Sequence, residues 1–348
     1  MIDERDLDAA VTSGVLDPAQ RERLVQFASD HRRGEAGPDE EQFRLLTGFN
    51  DIFVTIAVGL VLFAVGALGG LVSPVLGAAL VAGASWGLAE YFTRQRRMAL
   101  PSIVLLLSFV ASVMTVLGLL LGGESWRERI DAAPLAFIWS LIAIGGGGAA
   151  AAWLHWRRFM VPITVAAGAA SLVLLVIGGG ALVLEASGFK AMSPLPWLIL
   201  VCGLAVFALA MWADARDRAR VTRWSDVAFW LHLLAAPLIV HPVFSLAGLM
   251  DASPAPSAAV AVIAVYALLT IVALAIDRRA LLVSALGYVI YAIQALIGRG
   301  GEFSASFGVT ALLIGAFLVM LSAGWRPIRS RVIALLPAGV AGRLPAAA

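Results

Sequence analysis

A chain of 348 residues with a single cysteine, Cys202, and a single lysine, Lys190, offers little reactive chemistry from the outset. One thiol excludes an intrachain disulfide and a thiolate metal cluster. Four histidines, His31, His155, His232 and His241, are too few and too scattered to read as a bis-histidine haem bundle. Charged residues make up only 14% of the chain and balance to +2, which argues against a nucleic-acid surface. No Walker A loop, HExxH, GxSxG, paired-cysteine or CxxCH motif occurs, so nothing marks an ATP-driven pump or a zinc protease. No catalytic residue, cofactor-binding residue, cofactor or metal ligand is therefore assigned, and the chain reads as a non-enzyme. The first fifty residues are polar and acidic instead of a short basic region followed by an apolar core, so no cleavable signal peptide is expected.

What the chain has in excess is apolar surface. Hydrophobic residues make up 61%, with a mean hydropathy of +0.91. That composition is expected of an all-α, polytopic integral membrane protein.

Residues 1–33 read as a small helical hairpin on the cytoplasmic side. Gly14 would end its first helix, and Asp17, Pro18 and Gln20 form a capping-box start for the second. Leu7, Ala10, Val11, Leu16, Leu24 and Phe27 supply one apolar seam. Some thirty residues bury little core alone, so the hairpin is expected to pack on the membrane domain, a protein partner or a second copy. An acidic linker, GEAGPDEE, and an interfacial lead-in occupy residues 34–49.

The stretches SGVLDPAQRERL (13–24) and RLLTGFNDIFVTIAVGL (44–60), joined by that linker, resemble the bacterial membrane family designated domain of unknown function 2157. The likeness covers roughly the first 65 residues. It implies an architecture and carries over no catalytic residue.

From Asn50 onward, ten apolar runs approach the length of about 20 residues that spans the hydrocarbon core. They fall near 52–70, 72–92, 99–121, 134–153, 160–184, 195–213, 226–249, 258–276, 280–298 and 307–325, giving a transmembrane domain over 50–326. Residues 327–348 form a cytoplasmic tail, interfacial or disordered. Arginines crowd alternate connections, at Arg94, Arg96, Arg97, Arg157, Arg158, Arg216, Arg223, Arg278 and Arg279, which places both termini in the cytoplasm of a bacterial inner-membrane protein. Several spans open alike, in RQRRMALPS, WRRFMVPIT, RWSDVAFWL and DRRALLVSA. Five stacked helical hairpins would produce this pattern, and so would positive-inside selection alone.

Candidate residues are the polar groups set within or beside these runs. His232 and His241 lie about 9 and 22 Å along the seventh span from Asp226, on opposite faces of a straight helix, with Pro237 and Pro242 beside them. Either histidine lines a cavity as a proton site or bonds a neighbouring helix. Glu90 is either a titrating carboxylate or the partner of Arg94 four residues on. Tyr288, Tyr291 and Gln294 share one face of the ninth span, lining a solute path or bonding between helices. Asn50–Asp51 and Ser225–Asp226 read as N-caps, and Asp277 beside Arg278 as a surface charge. The glycines at 66, 70, 145–148 and 178–180 suggest close helix contacts, or, in the runs, a local unwinding that exposes carbonyls to a ligand. Trp153, Trp197, Trp212, Trp224 and Trp325 would form interfacial belts.

Three functions fit: a small-solute or proton-coupled transporter, a membrane scaffold or sensor acting through residues 1–33, and a membrane-embedded enzyme. The expected partners are the lipid bilayer, a small solute or proton, and a protein or second copy at the hairpin, with no nucleic acid.

Overall fold

The computed structural model describes residues 4–35, 49–122, 133–188, 194–217, 222–246, 256–279 and 305–337, with isolated positions between 281 and 290 and near the C terminus. Every regular element among them is helical. The chain divides into two compact units, residues 1–43 and 44–347.

In the first unit, α1 (Glu4–Thr12) and α2 (Pro18–Glu35) form the hairpin. Gly14 turns the chain at φ 76°, a conformation that costs glycine nothing. The capping box forms as its residues require: Asp17 Oδ1 accepts from the Ala19 amide at 2.8 Å, and Gln20 Oε1 accepts from the Asp17 amide at 3.2 Å. Arg21 then reaches Asp8 at 2.7 Å and ties the helices together. The seam closes only in part, since Leu24 stays exposed, as does Val15 in the turn. α2 runs through Glu35, two residues beyond the boundary expected at 33.

In the second unit the helices are α3 (Phe49–Gly70), α4 (Pro74–Ala89), α5 (Ala99–Gly122), α6 (Pro134–Phe159), α7 (Ile163–Ala186), α8 (Leu195–Arg216), α9 (Arg223–Leu246), α10 (Pro256–Ile276), α11 (Ala305–Ala323) and α12 (Trp325–Leu335). Among the described residues seven helices, α3 to α9, are long and apolar enough to cross a membrane, counting α4 with the turn that prolongs it. They fall on the first seven expected runs. α10 lies on the eighth. Most of the ninth run lies outside the described residues, and the tenth corresponds to α11. The chain does not continue straight from α11. After Gly324 it bends by 75° into α12, so the limit placed at 326 falls inside a second helix that runs to Leu335.

Two local structures differ from the sequence pattern. α4 does not stop near residue 92 but widens into a π turn, Glu90–Gln95. The N-cap of α9 is Thr222 and not Ser225–Asp226. Its hydroxyl accepts from the Trp224 amide at 3.3 Å while donating to Asp217 at 2.6 Å. Asn50 and Asp51 likewise lie inside the first turn of α3, with Asp51 buried.

The α3–α7 region packs through small residues. A Cβ on Gly145 would sit 2.5 Å from the Leu175 amide nitrogen, and one on Gly77 would sit 2.7 Å from the Gly66 carbonyl. The glycine run at 145–148 stays inside continuous helix, so it serves close approach of backbones. Arg97, Met160 and Asp277 all have positive φ, between 53° and 58°, where the chain leaves the ends of α4, α6 and α10. The same bend thus recurs at three arginine-bearing turns.

Candidate functional site

At the arginine-bearing ends of α8, α9 and α10 the chain buries a cluster of charges. Asp214 lies in the last turn of α8 and Arg278 follows α10; their side chains are 5% and 2% exposed. The guanidinium forks onto the carboxylate, Nε to Oδ2 at 3.2 Å and Nη2 to Oδ1. Arg278 also donates to the carbonyl and hydroxyl oxygens of Ser225 in the first turn of α9, at 3.3 and 3.4 Å. Asp277 and Arg278 are therefore interior groups and not surface charges. The adjacent acid and base do not neutralise one another; each turns to a different helix.

His232 completes the cluster. Its ring is fully buried, and Nδ1 lies 2.8 Å from the Ala228 carbonyl and 3.8 Å from Asp214 Oδ2. A carbonyl only accepts, so Nδ1 carries the proton and Nε2 is the nitrogen that a second proton would occupy. Phe207 packs edge-on against the ring at 5.4 Å and excludes water from that side. Asp226, half-buried on α9, also feels the charges of Arg278 and Asp217.

A second set of contacts hangs α12 from the same turn. Asp277 Oδ1 accepts from Trp325 Nε1 at 2.8 Å and pairs with the buried Arg329 at 3.6 Å. Arg279 lies over the Trp325 ring at 4.8 Å. Trp325 is therefore a buried anchor and no part of an interfacial belt, whereas Trp153, Trp197 and Trp212 stay substantially exposed.

The other sequence candidates lie elsewhere. His241 is exposed, on the opposite face of α9 from His232. Glu90 sits at the start of the π turn and is gripped by Arg158 through two bonds, at 2.6 and 2.9 Å, and by Arg94 at 3.3 Å. Tyr288, Tyr291 and Gln294 lie outside the described residues.

The pairings of Asp214 with Arg278 and of Asp277 with Arg329 escaped sequence reading because no local spacing connects the partners. His155 was missed for another reason. It looks interfacial beside Arg157 and Arg158, yet it is fully buried among Trp86, Phe109 and Phe159, with Thr164 Oγ1 3.4 Å from Nδ1. No group of three metal-ligating side chains occurs among the described residues.

A scan against family models finds no match, and no curated protein or solved structure matches the chain significantly.

Proposed function

We propose that this chain is a small-solute transporter of the bacterial inner membrane, coupled to protons, with ten spans in five hairpins and both termini in the cytoplasm. The observation that carries the reading is the buried Asp214–Arg278–His232 cluster. Ionisable groups enclosed among apolar helices are costly, and where they persist they commonly serve transport or coupling. The N-terminal resemblance to domain of unknown function 2157 belongs to the same proposal and adds no activity.

In this reading the neutral His232 leaves Arg278 in sole possession of Asp214, which pins the end of α10 to α8 and α9. A proton on Nε2 would place a second cation 3.8 Å from the same carboxylate. Two cations then compete for one anion, with Asp226 as the nearby half-buried acid. The excess buried positive charge disfavours the closed arrangement and favours one that admits water or an anionic group. The bonds from Asp277 to Trp325 and Arg329 would carry that movement to α12.

Proteoliposomes loaded with a pH-sensitive dye and challenged with amino acids, sugars or carboxylates test this. Wild type should show solute-dependent proton movement, and His232→Ala should abolish its pH dependence while the protein remains folded. Unchanged flux would remove His232 from the mechanism.

A scaffold reading draws on one separate observation, the exposure of Val15 and Leu24 on the hairpin unit. Loss of co-purifying proteins on deleting residues 1–33, with flux absent throughout, would favour it over transport.

A further inference from the structure

The core shared by α9, α10 and α11 is mainly hydrocarbon, with Ala236, Val240, Ala273, Leu274 and Ile314 packed in one cluster with Tyr266. Tyr266 is 6% exposed, and Phe317 stands beside its ring at 6.3 Å. Its hydroxyl is enclosed, and among the described residues it has no hydrogen-bond partner. An enclosed oxygen that bonds to nothing costs stability, and a phenylalanine would fill the same space without that cost. The hydroxyl therefore does nothing for the closed fold.

Its position follows from the charged cluster. Arg278, just past α10, meets Ser225 in the first turn of α9, so both helices can be measured from one level. At 1.5 Å per residue, His232 lies about 10 Å along α9 from Ser225, and Thr270 and Tyr266 lie about 9 and 15 Å along α10 from Ile276. Ala236, one turn beyond His232, belongs to the Tyr266 cluster. Phe207, which meets the His232 ring edge-on at 5.4 Å, packs against the same cluster. Thr270 is also buried, and its hydroxyl donates to the Tyr266 carbonyl at 2.8 Å, which leaves its oxygen able to accept. Polar groups thus continue inward in steps: Asp214 with Arg278, then His232 at the depth of Thr270, then Tyr266 about 5 Å farther. A step of that size is longer than a hydrogen bond and is bridged by one water or by a polar group of a solute.

We infer that a water-accessible route leads inward from the charged cluster between α9 and α10, with the Tyr266 hydroxyl as its next hydrogen-bonding station beyond His232. The inference rests on the transport reading for what moves along the route, and it adds the path that the cluster alone does not give. In the closed arrangement the hydroxyl is shut away from water. When the cluster opens, it donates to and accepts from the water or solute that enters.

Thiol accessibility of the full-length protein in membrane vesicles tests this. Cys202 is the sole thiol, so Cys202→Ser gives a cysteine-free background. In that background Tyr266→Cys and Thr270→Cys are treated, from each side of the membrane in turn, with sulfonatoethyl methanethiosulfonate, an anionic reagent carried by water. Both thiols should react about tenfold faster than that of Leu106→Cys, enclosed on α5 away from the route. Thr270→Cys carries the test if Tyr266→Cys does not fold. Tyr266→Phe should raise the unfolding midpoint by about 2 °C, since it removes an unbonded oxygen, and lower solute-dependent proton movement about threefold. Labelling no faster than at Leu106 in the folded variants would overturn the route. So would a Tyr266→Phe protein less stable than wild type, because the hydroxyl would then be bonded within the fold. Failed labelling in a protein that moves solute sinks the route and spares the transport reading, whereas reactive thiols in a protein that moves none of the tested solutes keep the route and sink transport.

Discussion

Two arginine–carboxylate forks hold this protein together at its arginine-bearing turns, and they differ mainly in their access to water. Glu90 at the end of α4 grips Arg158 at the end of α6, 68 positions away. Asp214 near the end of α8 grips Arg278 just past α10, 64 positions away. In both, Nε and Nη2 meet the two oxygens of one carboxylate. The first pair is 40% and 31% exposed, however, and the second only 2% and 5%. Water can replace either partner of the first fork. It cannot reach the second, where Ser225 and His232 do the remaining work. One joint can therefore be a clamp at the membrane surface in one place and a charge-sensitive lock in another, with burial deciding which.

The largest effect expected from this contrast is at Asp214. Asp214→Asn leaves Arg278 as a buried charge without its counter-ion and should cost about 3–5 kcal/mol. Asp214→Leu combined with Arg278→Met removes both charges and should recover most of that loss. Thermal unfolding in detergent measures both, and a single variant as stable as wild type would place water at the fork and end the comparison.

Smaller is the effect expected where α6 meets α7, because that contact is steric. A Cβ at Gly145 would meet the Leu175 nitrogen at 2.5 Å and the Ser171 carbonyl at 2.8 Å, both backbone atoms that yield only if a helix shifts. Gly145→Ala should cost about 1–3 kcal/mol by overpacking. Gly146→Ala, whose nearest neighbour is the Leu175 side chain at 3.5 Å, should be nearly silent. Equal losses at both positions would mean that helix flexibility, and not close approach, is what these glycines supply.

How much of this was legible in the sequence follows the same division. Helices α3 to α9 could be read because a span needs only a sustained apolar run, and the glycine contacts because small residues cluster where backbones meet. The opposite faces of His232 and His241 follow from nine residues of helical rotation. The charged lock was not legible. Asp277 and Arg278 look like a solvated pair at a span end, and the partners that draw them inward lie 48 and 64 positions away. Thr222 took the cap from Ser225–Asp226 because Asp217, five residues back, orients its hydroxyl. The π turn at Glu90–Gln95 contains no glycine or proline that would announce it.

The smallest effect is expected at Glu90. Glu90→Gln releases Arg158 and Arg94, but both side chains lie at the surface and are rehydrated as they are freed. The loss of stability should be well below that of Asp214→Asn, and added salt should shrink it further, because exposed charges are screened within about 10 Å at 0.1 M ionic strength. The Asp214→Asn deficit should respond little to salt, since its charges are enclosed. Unfolding midpoints of the two variants at low and high salt give the contrast directly. In the flux assay Glu90→Gln should keep the pH dependence that His232→Ala abolishes, because Glu90 is held by Arg158 and Arg94 and lies apart from the buried cluster. If Glu90→Gln alone removes the pH dependence, the exposed fork is the proton site and the buried one is scaffolding.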